Sequence, residues 1–372
     1  MTVSVSLAVE QLRRRVPGGI GTYARGLLQG LSELAPDERP RLNLVAGRAR
    51  QRPDPLVAYG YPVVTSLLPG PVMTRAWDRG LLRVGRGYDV VHSVSMAAPL
   101  PAAGTALVVV VHDVAWRSMP EAFPERGRRW HEAALRRTAA RASAIIVPSE
   151  ATAAAVLGSG VGITESKITV VPEGADHLGA PDAPGAKAIL RGLGIDGPYL
   201  LTVSTLEPRK NLDRLVEAYA IARPRLPEPW PLLVVGPSGW GVSSSNPSSL
   251  EGVVFAGAVA GGALAAIYSG ARCCAYVPLL EGFGLPVVEA MAAGIPVVSS
   301  CVPSSGGASL EVEATDTAAI AEGLLVAACD EAARAALVES GRTRVASLRW
   351  VDTARAHMAV WESVAASHKA PR

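Results

Sequence analysis

The chain of 372 residues holds only four cysteines, no C-x-x-C and no cysteine spacing that suits a metal. All four are therefore read as reduced and structural, as in a cytoplasmic protein. Cys273 and Cys274 are adjacent in an expected strand, so their side chains should face opposite sides of a sheet. Apolar residues make up 49% of the chain, yet no unbroken run approaches the roughly 18 residues of a membrane span. The N-terminus, MTVSVSLAVEQLRRR, places its charges after its apolar residues, the reverse of a secretory signal. It reads instead as a first strand, Val3 to Val9.

Charge of one sign is scarce in each half in a different way. Up to Asp176 there are 21 basic and 15 acidic residues; from His177 on there are 15 and 18. A basic first half fits an anionic partner or surface, and equally fits arginine-rich solvated helices. The stretch PERGRRWHEAALRRTAARASA carries Arg126, Arg128, Arg129, Arg136, Arg137 and Arg141 around Trp130. It presents the same two options: an anionic membrane surface or lipid phosphate, or a face open to water. Nothing in the chain points to nucleic acid.

What is abundant is a rhythm of short apolar runs separated by helix-length segments. The first series is Leu42–Val45, Val90–Val91, Leu107–Val111, Ile145–Val147 and Ile168–Val171; the second is Tyr199–Val203, Leu232–Val235, Val253–Phe255, Cys274–Val277 and Pro296–Ser299. Continuous apolar strands of this kind belong to parallel sheets covered on both faces. The expected fold class is α/β, with two doubly wound, Rossmann-like domains facing a cleft: residues 1–176 and 177–350, joined by the hinge stretch GADHLGAPDAPGAKA. A final helix over 351–372 carries Val351, Ala354, Met358, Trp361 and Val364 as an apolar stripe and should pack back toward the first domain.

Ligands of such sheets sit beyond the carboxyl ends of the strands. Three segments there carry chemistry. His112-Asp113 follows the run Leu107–Val111. STLEPRKN follows Tyr199–Val203, with Arg209-Lys210 placed before a helix whose positive N-terminal end they oppose, so something anionic must offset them. EGFGLPVVEAMAAG follows Cys274–Val277: Gly282 and Gly284 open the backbone, Pro286 suits a first helical turn, and the amides there form an anion site. Glu289 lies on that helix, eight residues after Glu281, and a carboxylate can accept both hydroxyls of a ribose. A glycine turn with an ordinary helix carboxylate, and a structural histidine at 112, are the plainer alternatives. Gly19-Ile20-Gly21-Thr22-Tyr23-Ala24 has dinucleotide-loop spacing, but EQLRRRVP separates it from the first strand, so it is not a nicotinamide cofactor site.

Taken together, TLEPRKNLDRLVEAYA and EGFGLPVVEAMAAGIPVV closely resemble the family 4, "group 1", retaining glycosyltransferases of GT-B fold, with Glu281 and Glu289 as their E-x7-E pair. VPGGIGTYARGLLQGL, YDVVHSVSMAAPLP, VHDVAWRSMPEAFP, ASAIIVPSEATAAAV, ITVVPEGADH and SLRWVDTARAHMAVWESV are similar to family segments in the same order. The resemblance implies transfer of a hexose from a nucleoside diphosphate sugar to a glycan, lipid-linked or small-molecule acceptor, mannose before glucose by analogy. It implies catalytic roles for Arg209, Lys210, Glu281 and His112. It places Glu289, Gly282, Phe283, Gly284, Leu285, Gly18, Gly19 and Thr205 at the donor, and Gly21 and Asp113 on the acceptor side, with the glycines in a loop. No metal or other cofactor is expected, since the chain lacks the Asp-x-Asp by which many glycosyltransferases hold a divalent ion. The chain departs from the pattern at Glu173, where the family has Asn, and in the short segment CVPSSGGASLEVEATDTAAI around Glu311. A nucleotide-sugar epimerase and a non-catalytic nucleotide-sugar binder are the alternatives. Arg209→Ala is expected to abolish diphosphate binding with little change in melting temperature. Location is expected to be cytoplasmic, with peripheral contact at the inner face of the membrane as an option.

Overall fold

A computed structural model describes residues 2–14, 16–49, 53–239, 251–259 and 261–369. The chain divides into two units, the first ending at His177 and resuming at Arg349, the second running from Leu178 to Leu348. The first is built on a parallel sheet in the order Val63–Thr65, Arg41–Ala46, Ser4–Ala8, Val90–Ser93, Ala106–Val110, Ala144–Val147, Ile168–Val170. The second is built on another, in the order Val253–Gly257, Leu232–Val235, Leu200–Val203, Cys273–Tyr276, Val297–Ser299, Leu310–Glu311. Each is doubly wound, with its order reversing beside its first strand. The reversal opens a crevice at the carboxyl ends, where an α/β sheet takes its ligand.

Alternation along the strands of the second sheet feeds two cores. Leu200, Leu232, Val234, Cys273 and Ala275 enter one, and Leu201, Leu233, Val235, Cys274 and Tyr276 the other. The adjacent cysteines therefore do face opposite sides, while Cys301 is exposed rather than structural. Strand positions follow the apolar runs except at one edge of each sheet. Val63–Thr65 and Leu310–Glu311 had no sequence signal, being short and covered on only one side.

Two boundaries differ from the sequence reading. The last six of the fifteen residues of the expected hinge stretch are helix, Ala183–Gly192, because Pro184 sits in its first turn and the Asp182 side chain accepts the Gly185 N–H at 3.0 Å. The return to the first unit comes at 349, before Trp350. Asp176 holds the Trp350 N–H at 2.9 Å and pairs with Arg349 at 2.5 Å. Trp350 lies over Gly26 and Gly30 of the helix Gly18–Glu33, where a Cβ at either glycine would fall inside the tryptophan. The helix Trp350–Lys369 thereby packs along Gly18–Glu33, with Trp361 and His357 fully buried. None of the helices among the described residues is long and apolar enough to cross a membrane.

Candidate active site

At the crevice of the second unit, the chain leaves strand Leu200–Val203 through Thr205 and Glu207 into a single 3-10 turn, Pro208–Lys210. Asn211 ends the turn at φ 59°, a left-handed conformation that asparagine tolerates better than most residues. Its side-chain amide donates to Val277 O at 3.0 Å and Ala314 O at 2.7 Å, tying three loops together. The neighbouring strand Cys273–Tyr276 delivers the second half of the site: Leu279 N–H donates to Arg209 O at 2.9 Å.

Lys210 and Arg209 turn inward, with side chains 10% and 16% exposed. Lys210 Nζ pairs with Glu281 Oε2 and donates to the Tyr276 hydroxyl at 2.6 Å, and that hydroxyl in turn donates to Glu281 Oε2 at 2.7 Å. Arg209 Nε stands 2.6 Å from Glu207 Oε1, and its Nη1 lies 3.5 Å from Glu281 Oε2. Burial alone would raise the Glu281 carboxyl, but the Lys210 ammonium and Arg209 guanidinium outweigh it and hold its pKa at about 2. Burial draws Lys210 below the usual lysine value, with Glu281 opposing and Arg209 reinforcing. Burial and Glu281 push Tyr276 well up, so it serves as a neutral donor. The anionic offset demanded by the sequence is thus supplied within the protein by Glu207 and Glu281.

Behind this cluster, Gly284 at φ 103° caps the helix Leu285–Ala292. A Cβ there would stand 2.9 Å from Ser304 Oγ, so only glycine fits. Ser304 secures the turn, donating from Oγ to Gly284 O at 2.8 Å and from its N–H to Phe283 O at 2.9 Å. Phe283 and Leu285 bury their side chains, and Gly282 and Gly284 are buried with them. Glu289, also buried, accepts the Tyr268 hydroxyl at 2.7 Å on its Oε2. Glu311 is on the edge strand and accepts Ser305 Oγ at 2.7 Å. Among the described residues, no group of three His, Cys, Asp or Glu is placed to hold a metal.

The first unit corrects one expectation and sharpens another. Gly18, Gly19 and Gly21 form no loop: they are the first turn of the 16-residue helix Gly18–Glu33. Gly18 has φ 61°, and open space surrounds Gly18 and Gly19, but a Cβ on Gly21 would strike the Pro17 ring. Gly21 is therefore a local packing glycine, and the short helical stretch Glu10–Arg13 is what separates it from the first strand. Asp113 is occupied as a turn cap, its Oδ1 accepting the Ala115 N–H at 3.1 Å. His112 has an acceptor on each ring nitrogen: Val94 O at 2.9 Å from Nε2 and Glu173 Oε1 at 3.5 Å from Nδ1. Burial pulls its pKa down, but Glu173 more than reverses this and raises it above the ordinary histidine value. The residue that departs from the family pattern is thus the one that raises the His112 pKa.

On the arginine-rich helix Glu125–Arg141, three cations are spent on carboxylates: Arg129 on Glu125, Arg136 on Glu132 and Arg137 on Asp78. Trp130 is half-buried and donates to Asp78 at 2.8 Å. This favours the solvated reading of that face over the membrane one.

Two matched α/β domains with the crevice of each at its strand ends define a GT-B protein. Solved structures agree: Anabaena HepE, in complex with UDP and glucose, aligns over 97% of this chain and all of its own at 16% identity and TM-score 0.73. Sucrose-phosphate synthase from Thermosynechococcus elongatus aligns over 98% and 100% at 21% identity and TM-score 0.72. Residues 197–340 match the family described as glycosyl transferases group 1, and residues 17–177 match glycosyltransferase family 4. The chain belongs to this group 1, family 4 glycosyltransferase family. Among curated relatives, the O-antigen chain mannosyltransferase B of Escherichia coli is 32% identical over 161 residues, which is 41% of this chain and 42% of that protein. The D-inositol 3-phosphate glycosyltransferase of Actinosynnema mirum is 37% identical over 153 residues, 37% and 36% of the two chains. The chain thus spans less than half the length of these relatives.

Glu207, Tyr276, Asn211, Tyr268 and Glu173 were not identified as site residues from the sequence. Only the Asn after Arg-Lys carried a signal, as a residue suited to the left-handed stop of a turn.

Proposed function

We propose that the protein transfers a hexose from a nucleoside diphosphate sugar to a hydroxyl of a glycan, glycolipid or small-molecule acceptor, with retention and without a metal ion. The observation that carries this is the buried convergence of Arg209 and Lys210 beside the backbone turn at Gly282–Gly284. As the anomeric bond breaks, negative charge grows on the leaving diphosphate. Two cations and the amides opening Leu285–Ala292 can meet that charge without moving far, because Glu207, Glu281 and Tyr276 already hold the cations in place. Glu289, oriented by Tyr268, is assigned to the ribose hydroxyls. Attack on the face from which the diphosphate leaves lets a diphosphate oxygen take the acceptor proton, so no separate base is required.

The acceptor is assigned to the first unit, and His112, held there by Glu173 and the Val94 carbonyl at the end of its strand, is assigned to the donor sugar or its phosphates. Mannose is preferred over glucose because relatives include mannosyltransferases. Peripheral contact with an anionic membrane is the alternative that the paired arginines of Glu125–Arg141 disfavour, and it is checked by liposome flotation at low salt.

The deciding experiment is a thermal-shift panel of UDP, GDP, ADP and their sugar conjugates, with and without a chelator. The transfer product's anomeric configuration is then read by NMR. Stabilisation by a nucleoside diphosphate that survives the chelator, with a retained product, is expected. No shift with any nucleotide overturns the reading.

A further inference from the structure

The first unit contains a cavity of 440 Å³ that the donor chemistry does not use. It lies past the carboxyl ends of strands Ser4–Ala8 and Arg41–Ala46, the edge where this sheet should take its own ligand. We propose that this cavity is a subsite for a phosphate group carried by the acceptor, gripped by Arg14, Arg48 and Arg75. The inference rests on the glycosyltransferase reading and specifies what that reading leaves open, the chemical class of the acceptor.

Charge accounting within the cavity supports it. Arg13 is already engaged by Asp54 and the Gly47 carbonyl. Asp78 is satisfied by Arg137 at 2.6 Å and by the Trp130 indole at 2.8 Å. Glu10 accepts the Gly47 N–H at 2.6 Å and crowds Gly70, at the start of the helix Gly70–Asp78, so that helix end already has its anion. Arg14, Arg48 and Arg75 remain, and among the described residues their guanidinium groups make no hydrogen bond or ion pair. Three such cations facing one carboxylate leave two positive charges uncompensated. A phosphate monoester brings about two negative charges at neutral pH and three acceptor oxygens.

The three arginines come from separate segments: the end of the Glu10–Arg13 turn, the exit of strand Arg41–Ala46, and the helix Gly70–Asp78. Guanidinium forks converging from several directions suit a tetrahedral phosphate better than a row along one helix does. The helix Glu125–Arg141 makes the contrast, since three of its six arginines are spent on neighbouring carboxylates. Leu67, 90% exposed, and Val72, 44% exposed, flank the wall residues Gly70 and Pro71 along the chain, and the phosphate can arrive on a lipid or on a soluble polyol.

Calorimetry on the full chain tests this with glycerol 3-phosphate and hexyl phosphate as probes, in the presence of saturating UDP or GDP. Both esters should bind with the nucleotide present, which places them outside the diphosphate site. In Arg48→Ala and in Arg75→Ala, both exposed and able to fold, ester affinity should fall by about tenfold or more while nucleotide affinity stays unchanged. Tighter binding of hexyl phosphate supports a lipid-borne phosphate, and tighter binding of glycerol 3-phosphate supports a soluble one. Absence of ester binding in the millimolar range, displacement by nucleotide, or equal binding by wild type and both variants overturns the proposal. Failure of every nucleotide to bind, with ester binding intact, would refute the donor reading and leave the subsite standing.

Discussion

Arg209→Ala separates two jobs that the structure gives to one side chain. Its guanidinium lies 2.6 Å from Glu207, a carboxylate only 3% exposed, and 3.5 Å from Glu281. Truncation leaves Glu207 buried without this cation, and breaking a buried pair from one side costs about 3–5 kcal/mol. In a unit the size of Leu178–Leu348 each kcal/mol moves the melting temperature by about 2–4 °C, so this unit should melt about 6–20 °C lower. The sequence alone led to the opposite expectation, an unchanged melting temperature, because nothing in STLEPRKN marks Glu207 as a buried partner. Binding is the second job. Each charge-assisted hydrogen bond lost to the diphosphate is worth about 1.5–3 kcal/mol, so affinity for UDP or GDP should fall by about tenfold to a hundredfold. The double variant Glu207→Gln/Arg209→Ala should recover most of the melting temperature and none of the affinity. Thermal melts and calorimetry read the two effects independently. An unchanged melting temperature in the single variant refutes the buried pair, and wild-type affinity in either variant refutes the role at the diphosphate.

Burial holds His357 at about 4, so the unfolded chain takes a proton near 6.5 that the folded chain refuses. Stability is therefore complete above pH 6.5 and falls as pH drops toward 4, by about 3 kcal/mol from this group. Urea unfolding across that window should show the slope, and His357→Gln should reduce it, leaving the part due to buried His92 set against the opposite contribution of His112. Gly26→Ala puts a methyl inside the Trp350 ring and should lose about 1–3 kcal/mol or more, read as a lower melting temperature; a wild-type melt would show that Trp350 moves aside freely. Glu173→Gln removes the carboxylate that raises His112, so its imidazole should titrate at lower pH by NMR; an unmoved titration would mean that Val94 O alone sets it.

The strand ladder was legible because interior strands of a parallel sheet are covered on both faces and must be apolar along their whole length. Val63–Thr65 and Leu310–Glu311, at the sheet edges, escape that requirement and left no trace. The glycines after the first strand were misread as a loop. Glycine spacing reports where backbone comes close to something, and here Gly21 meets Pro17 while Gly18 and Gly19 face open space.

Within the site, Arg209, Lys210, Glu281 and Glu289 could be found in one dimension, since a cation pair at a helix start and spaced glutamates after a glycine turn are local patterns. Glu207, Tyr276, Tyr268 and Glu173 could not. Each matters only through a partner, and Tyr276 meets Lys210 from 66 residues away. Residue order alone determined two parallel α/β sheets and the chemical types at their carboxyl ends, because apolar periodicity and turn chemistry are properties of neighbours along the chain. Folding decided which charges cancel and which remain: Arg209 and Lys210 are balanced by carboxylates, while Arg14, Arg48 and Arg75 have none among the described residues. The energy of a charge depends on its distance from its partners and from water, and only the tertiary structure sets those distances.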